Sequence, residues 1–313
     1  MRITSQWLRG RALRRAADRS QAYLLTNSAS FAIGSNSESL VIQGNPVPWR
    51  IKPLIELVLF LVIVKANGVQ SKACRPLTDM VLAEASRFDW HELAAFDPAS
   101  MSPLALTLQF FALHGRAPPF EPAYFEALRS TEYLHGMDRL PYREMDLQYG
   151  LSKVGRPESE AKLPVLFRDT AFGRGQLIPR YSVDDIYSLT HALFYLTDLG
   201  IRSLDTVLDG PTRHRLRRDL IQLTVVMIRG DNCDVLGELL ICWIMCGIEA
   251  SPTETAIMNA GLDRMLVRMT PDGAVPPTSD VRKRLLSGDA GFADVYHTTL
   301  VAAILFALVG KSR

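Results

Sequence analysis

The sequence predicts an all-α fold, arranged as an incomplete or compact α/α toroid of stacked helical hairpins. Three observations lead there. Apolar residues recur at three and four positions along most of the 313-residue chain, and 48% of the residues are hydrophobic. Stretches of alternating β-branched residues are few. Finally, similar polar strings return at a spacing that suits two helices per unit.

The elements follow in order. Residues 1–52 read as a basic arm or accessory segment. Arg2, Arg9, Arg11, Arg14, Arg15 and Arg19 face a single acid, Asp18, with no apolar core of a secretory signal. A Ser- and Asn-rich stretch, Thr26 to Ser39, and the prolines Pro46, Pro48 and Pro53 separate this arm from a toroid-like domain at 53–313. Pro53 suits the first turn of a helix that runs to Ala66 and stops at Asn67-Gly68. Its apolar run Leu54 to Val64, interrupted by Glu56, is far shorter than the ~20 residues of a bilayer span, so no transmembrane segment is expected.

Further helices are expected over Thr78–Arg87, Trp90–Phe96, Ser102–His114, Pro122–His135, Met145–Lys153, Val183–Leu199, Arg213–Ile228, Cys233–Gly247, Thr253–Arg268 and Asp294–Val309. Leu163–Phe167 and Gly175–Pro179 read as short extended pieces, and Arg282, Lys283 and Arg284 as a solvated loop. The repeat shows in two places. Gly175-Gln176-Leu177-Ile178-Pro179 precedes the helix of Asp184, Tyr187 and His191. Asp272-Gly273-Ala274-Val275-Pro276-Pro277 precedes that of Asp294, Tyr296 and His297. In a ring of such units the inner helices bring their N-terminal turns to one mouth of a cavity.

Composition narrows the function. Net charge is +2, from 35 basic and 33 acidic residues, which gives no electrostatic case for nucleic acid as a partner. The four cysteines, Cys74, Cys233, Cys242 and Cys246, place three in one predicted helix and form no disulfide framework, so a cytoplasmic setting is expected. Cys242 and Cys246, one turn apart, read as buried packing.

Two polar strings stand at the mouths of otherwise apolar helices: Gly230-Asp231-Asn232-Cys233-Asp234 and Asp294-Val295-Tyr296-His297-Thr298-Thr299. Polar groups there are costly unless paired or coordinating. Asp231-x-Cys233 followed by Tyr296-His297-Thr298 resembles the zinc-ligand pattern of the protein prenyltransferase β subunit, an α/α toroid of the terpenoid cyclase-like kind. The resemblance covers about residues 231–302. It implies that Asp231, Cys233 and His297 hold zinc or another divalent ion, which would bind a substrate thiolate. The aromatic-Gly strings of that family's repeats are mostly missing, and no clear diphosphate cluster is visible.

The residues also allow a second arrangement. Asp231, Asp234 and Glu238 share one helical stripe, and Asp184, Tyr187 and His191 share another. With His297 these would form a carboxylate–histidine cluster for metal or acid–base work. Glu238 carries most weight, because an unpaired acid is not expected within Leu236 to Trp243. His191 is expected as a base or additional ligand, Glu238 and Asp234 as acid–base or orienting groups, and Tyr187 and Tyr296 as pocket walls. The expected function is a metal-dependent biosynthetic enzyme, a transferase or a lyase or cyclase, acting on a small or carrier- or peptide-bound substrate in an apolar cavity. The alternatives are a non-catalytic helical-repeat binding protein, with caps and core histidines in place of a site, and a carbohydrate-active toroid with an Asp/Glu pair.

Overall fold

The computed structural model describes residues 10–33, 47–69, 71–91, 93, 101–121, 123, 126–127, 138–175 and 181–311. Among these the chain is all-helical, with no strand. The α-helices are α1 Gly10–Thr26, α2 Val47–Ala66, α3 Cys74–Arg87, α4 Met101–Leu113, α5 Pro141–Lys153, α6 Leu163–Arg168, α7 Val183–Leu196, α8 Gly210–Arg229, α9 Cys233–Met245, α10 Pro252–Arg268, α11 Ser279–Ser287 and α12 Phe292–Lys311. Most of the expected helix Pro122–His135, most of Trp90–Phe96 and most of the stretch Gly175–Pro179 lie outside the described residues, as do Arg2 and Arg9.

Hydrophobic pattern sorts the helices into two roles. A helix apolar all round must be enclosed, whereas one with a single apolar stripe can face water on its other side. Every residue of α9 is buried, and so are Leu54, Leu57, Val58 and Phe60 to Val64 of α2 and Leu300 to Val309 of α12. By contrast α3 buries only the stripe Leu77, Val81 and Ala85. The contacts follow this division. α2 packs on α4, α4 on α5, α5 on α7, α7 on α9, α9 on α12, and α12 back on α2, a closed circuit of six helices. α1 packs on α12 and α3, α3 on α2, α6 on α5 and α7, and α8 and α10 on α9 and on each other.

Two glycines let members of the circuit come close. A Cβ on Gly237 of α9 would stand 2.6 Å from Val301 Cγ1 of α12, and one on Gly150 of α5 would stand 2.8 Å from Ala105 Cβ of α4. α12 is long and apolar enough to cross a membrane over Phe292–Gly310, but 78% of that window is buried inside the protein. Its neighbours are α1, α2 and α9. Leu13, Ala16, Ala17 and Leu24 of α1 join the same core.

Several elements differ from the sequence expectation. α2 begins at Val47, so Pro48 takes the first turn and Pro53 lies inside the helix. Leu163–Phe167 is helical rather than extended: its buried pair, Leu163 and Phe167, is spaced by four and Pro164 opens the turn. The basic stretch around Arg282 is α11, started by Thr278, whose side chain accepts from Val281 N–H. α7 stops short of Leu199 because Asp198 and Leu199 take left-handed φ of 48° and 54°. The stretch Asp272 to Pro277 leads into α11, and α12 follows only after it. That loop ties three helices together: the Arg19 guanidinium donates to Thr270 O, Val275 N–H donates to Thr299 Oγ1 at 2.9 Å, and Pro277 O accepts from Cys233 N–H at 2.8 Å.

Candidate functional site

Capping sets the register of the two helices that carry most of the polar groups. Asn232 caps α9 by accepting from Val235 N–H at 3.1 Å. Asp234 therefore lies in the first turn, with Glu238 one turn further along the same face. Ser182 caps α7 in a reciprocal box with Asp185, which puts Tyr187, Thr190 and His191 on one face. α12 brings Tyr296, His297 and Thr298 in its second turn, and α2 contributes Glu56.

These four helices converge on one cluster. His297 Nδ1 lies 2.9 Å from Glu56 Oε2. Its other ring nitrogen, Nε2, lies 3.4 Å from Asp234 Oδ2 and 3.8 Å from Glu238 Oε1. Tyr187 donates to Asp234 Oδ2, Thr298 donates to Asp234 Oδ1 at 2.8 Å, and Thr190 donates to Glu238 Oε2. His191 Nε2 stands 3.9 Å from Glu238 Oε1. One ligand atom each from Asp234, Glu238 and His297 lie within 4.8 Å of one another. The side chains of Glu238 and Asp234 are 3% and 9% exposed, whereas the imidazole of His297 is 35% exposed. The acids thus form the floor, and the imidazole keeps one open face.

Electrostatics follow from this arrangement. Burial resists charging Asp234, but the His297 charge and the hydrogen bonds from His297, Tyr187 and Thr298 prevail and hold its carboxyl below the usual range. Glu56 is also lowered: burial opposes ionisation, and His297, then Lys52, outweigh it. Burial pushes His297 down, yet the Glu56 and Asp234 carboxylates raise it well above an ordinary imidazole. The phenols of Tyr187 and Tyr296 are raised, first by burial and then by Asp234 and Glu56 respectively, so both remain neutral donors. Three acids therefore surround one imidazolium, with Lys52 at the edge, 3.6 Å from Glu56.

The sequence-predicted residues divide. Asp234, Glu238, His297, Tyr187 and His191 come together, and Tyr296 joins through Glu56. Asp231 does not share their stripe, because it precedes the Asn232 cap. Its carboxylate instead meets Arg268, lies 3.6 Å from Arg264 and accepts from Ser279 N–H and Oγ–H at 2.8 and 2.9 Å. It thereby caps α11 from outside that helix. Partial burial resists its charging, but Ser279 and Arg268 hold its carboxyl down at about 2. Cys233 is buried beside Arg268, and burial raises its thiol. Among the described residues the ligand atoms that gather are those of Asp234, Glu238 and His297, and not the expected Asp231, Cys233 and His297 set. Cys242 and Cys246 are free and buried, and Asp184 is exposed.

Glu56 is the member that sequence reasoning missed. Its signal was an acid inside an intensely apolar helix, the same signal that pointed to Glu238.

Comparison with curated proteins and with solved structures returns no match. One family does match, over residues 15–307, and it takes in every residue of the cluster. The chain belongs to that family, described as a domain of unknown function, DUF6895.

Proposed function

We propose that this chain is a metal-dependent enzyme in which Asp234, Glu238 and His297 hold one divalent ion, zinc or a similar first-row metal. The observation that carries the reading is the group of three ligand atoms within 4.8 Å of one another, drawn from α9 and α12. Charge supports it too. Three carboxyl side chains gathered on one imidazole make an acid-rich cluster of the kind a divalent ion takes. The surroundings suit ligands: Thr298 and Thr190 bind the oxygens of Asp234 and Glu238 that turn away from His297, and Tyr187 donates to the Asp234 oxygen that faces it. Glu56 on Nδ1 would fix the His297 ring and leave Nε2 for the metal, the carboxylate–histidine pairing common around metal sites.

Three protein ligands leave a fourth position for water or substrate, as catalytic zinc sites require. An ion there would lower the pKa of a bound water or thiol. The closed circuit of α2, α4, α5, α7, α9 and α12 supports an α/α toroid, with the cluster near the N-terminal ends of α7, α9 and α12. Aromatic side chains beside the cluster, among them Tyr142, Tyr187 and Phe194 around His191, favour a small or carrier-bound substrate over a polymer. The likeness to the prenyltransferase β subunit is kept for the helical ring and for His297. The Asp-x-Cys half is not part of this proposal, since Asp231 is engaged by arginines and Ser279.

Elemental analysis and calorimetric titration of the purified chain test the reading. About one divalent ion per chain is expected, lost in His297→Ala and Asp234→Asn variants that stay folded. Wild-type protein that binds neither Zn²⁺, Co²⁺ nor Mn²⁺ would overturn it.

A further inference from the structure

The outer face of α1 carries cations that the fold does not use. Arg11, Arg14, Arg15 and Arg19 are exposed, and Asp18 is the one acid of the helix. The opposite face, with Leu13, Ala16, Ala17 and Leu24, is buried in the core. Arg14 is turned back on Gly10 O at 3.0 Å, and Arg19 donates to Thr270 O. Among the described residues none of the four meets a carboxylate. Their placement works against the helix. Arg11 and Arg15, and Arg15 and Arg19, are like charges one turn apart, which repel. Arg11 also stands in the first turn, where the helix dipole favours an acid, and no base stands in the last. The charge continues on the neighbouring element. Ser71 donates to Gln21 of α1, and close to it Lys72 and Arg75, the latter in the first turn of α3, are exposed and likewise meet no carboxylate among the described residues.

Such a face gains from an anionic partner what the fold does not give it, and we infer that α1 docks the protein on the surface of an anionic lipid membrane. All four cations of α1 are arginines, whose guanidinium forks bind phosphate through paired N–H donors. A protein partner would need an apolar centre to seat. Between its charges this face exposes only Ala12, Ala22 and Thr26, and no large apolar side chain. A lipid headgroup layer needs charge alone, and each cation near it adds to the attraction. Nucleic acid has no comparable hold, because the whole chain carries a net charge of only +2. The apolar face of α1 is taken up by α12, so the helix rests on the headgroups and does not insert. This docking is independent of any metal.

The test is cosedimentation of the full chain with vesicles of phosphatidylcholine, with and without phosphatidylserine. Wild-type protein is expected to bind only the vesicles that contain phosphatidylserine, and to be released by salt. In the triple variant Arg11→Gln, Arg14→Gln, Arg15→Gln the partition coefficient is expected to fall about 100-fold, roughly fivefold for each arginine. Its melting temperature should hold or rise, because the repulsion and the opposed dipole are relieved. Lysine at the same three positions should keep most of the binding. Wild-type protein that ignores the phosphatidylserine vesicles overturns the inference, as does equal capture of the glutamine variant. Tighter retention on duplex DNA than on the vesicles would also overturn it, by making the partner a nucleic acid.

Discussion

Glu56 and His297, 241 positions apart in the sequence, meet through a 2.9 Å contact between Oε2 and Nδ1. The contact joins α2 to α12 and orients the imidazole so that Nε2 faces Asp234 and Glu238. Replacing Glu56 by Gln keeps the shape and removes the charge. Divalent-metal affinity is expected to fall about 10- to 100-fold, the usual effect of losing the carboxylate behind a ligating histidine. Competition against a chelating dye measures it, and an unchanged affinity would show that Glu56 does not orient the ring.

The ligand set expected from the sequence can be tested against the proposed one. Cys233→Ala is expected to leave metal stoichiometry and affinity as in the wild type while lowering stability by about 1 kcal/mol through lost packing. Asp231→Ala is expected to do the same to metal binding and to cost about 1–2 kcal/mol, because α11 loses its outside cap and Arg268 its partner. A metal-free Cys233→Ala protein would return the thiolate to the ligand set.

Gly237→Ala sets two effects against each other. Alanine improves helix propensity by about 1 kcal/mol. Its methyl, however, would sit 2.6 Å from Val301 Cγ1 and 3.1 Å from Met265 Cε. Overpacking of this kind costs about 1–3 kcal/mol, so a lower melting temperature is expected. Because α9 must then move from α12, metal affinity should fall in parallel. A more stable variant with unchanged affinity would refute the close approach of the two helices.

Acid sensitivity is expected at the α8–α10 contact. Arg217 donates to Glu254 Oε1 at 2.8 Å, and Glu254 Oε2 accepts from Ser251 N–H at 2.7 Å. These bonds, the Arg217 pair foremost, outweigh burial and hold the Glu254 carboxyl at about 2, against 4.5 ordinarily. A lowered acid stabilises the fold above its unfolded pKa, so the contribution is full above about pH 4.5 and fades as pH falls toward 2. With Arg217 38% exposed, screening limits it to about 1–2 kcal/mol. Urea unfolding midpoints should drop between pH 6 and pH 3 more steeply for wild type than for Glu254→Gln. Equal drops would remove this pair from the acid response.

The helices were legible because their apolar residues repeat at three and four, and because α9 and α12 have almost no polar face to turn outward. The same property exposed most of the cluster. Glu238 stands out where solvent cannot reach, His297 is the one histidine of an apolar helix, and Asp234, Tyr187 and His191 share faces fixed by local caps. Glu56 carried the same mark, yet nothing local connects α2 to α12; their meeting is a property of the packed ring. Asp231 misled for a local reason. The cap is Asn232, so the residue before it leaves the helix axis and points to Arg268 and Ser279. The helix α11 was hidden by its charge, since Arg282, Lys283 and Arg284 on a short helix without buried residues resemble a loop.

Because α2 and α9 place acids on opposite sides of an imidazole that α12 carries, the cluster forms only when all three helices are packed. Without α12, Glu56 would keep the repulsion of Asp234 and lose the histidine that stands between them. Docking of α12 and neutralisation of those acids are therefore one event, which ties charge balance in the cluster to closure of the helical circuit.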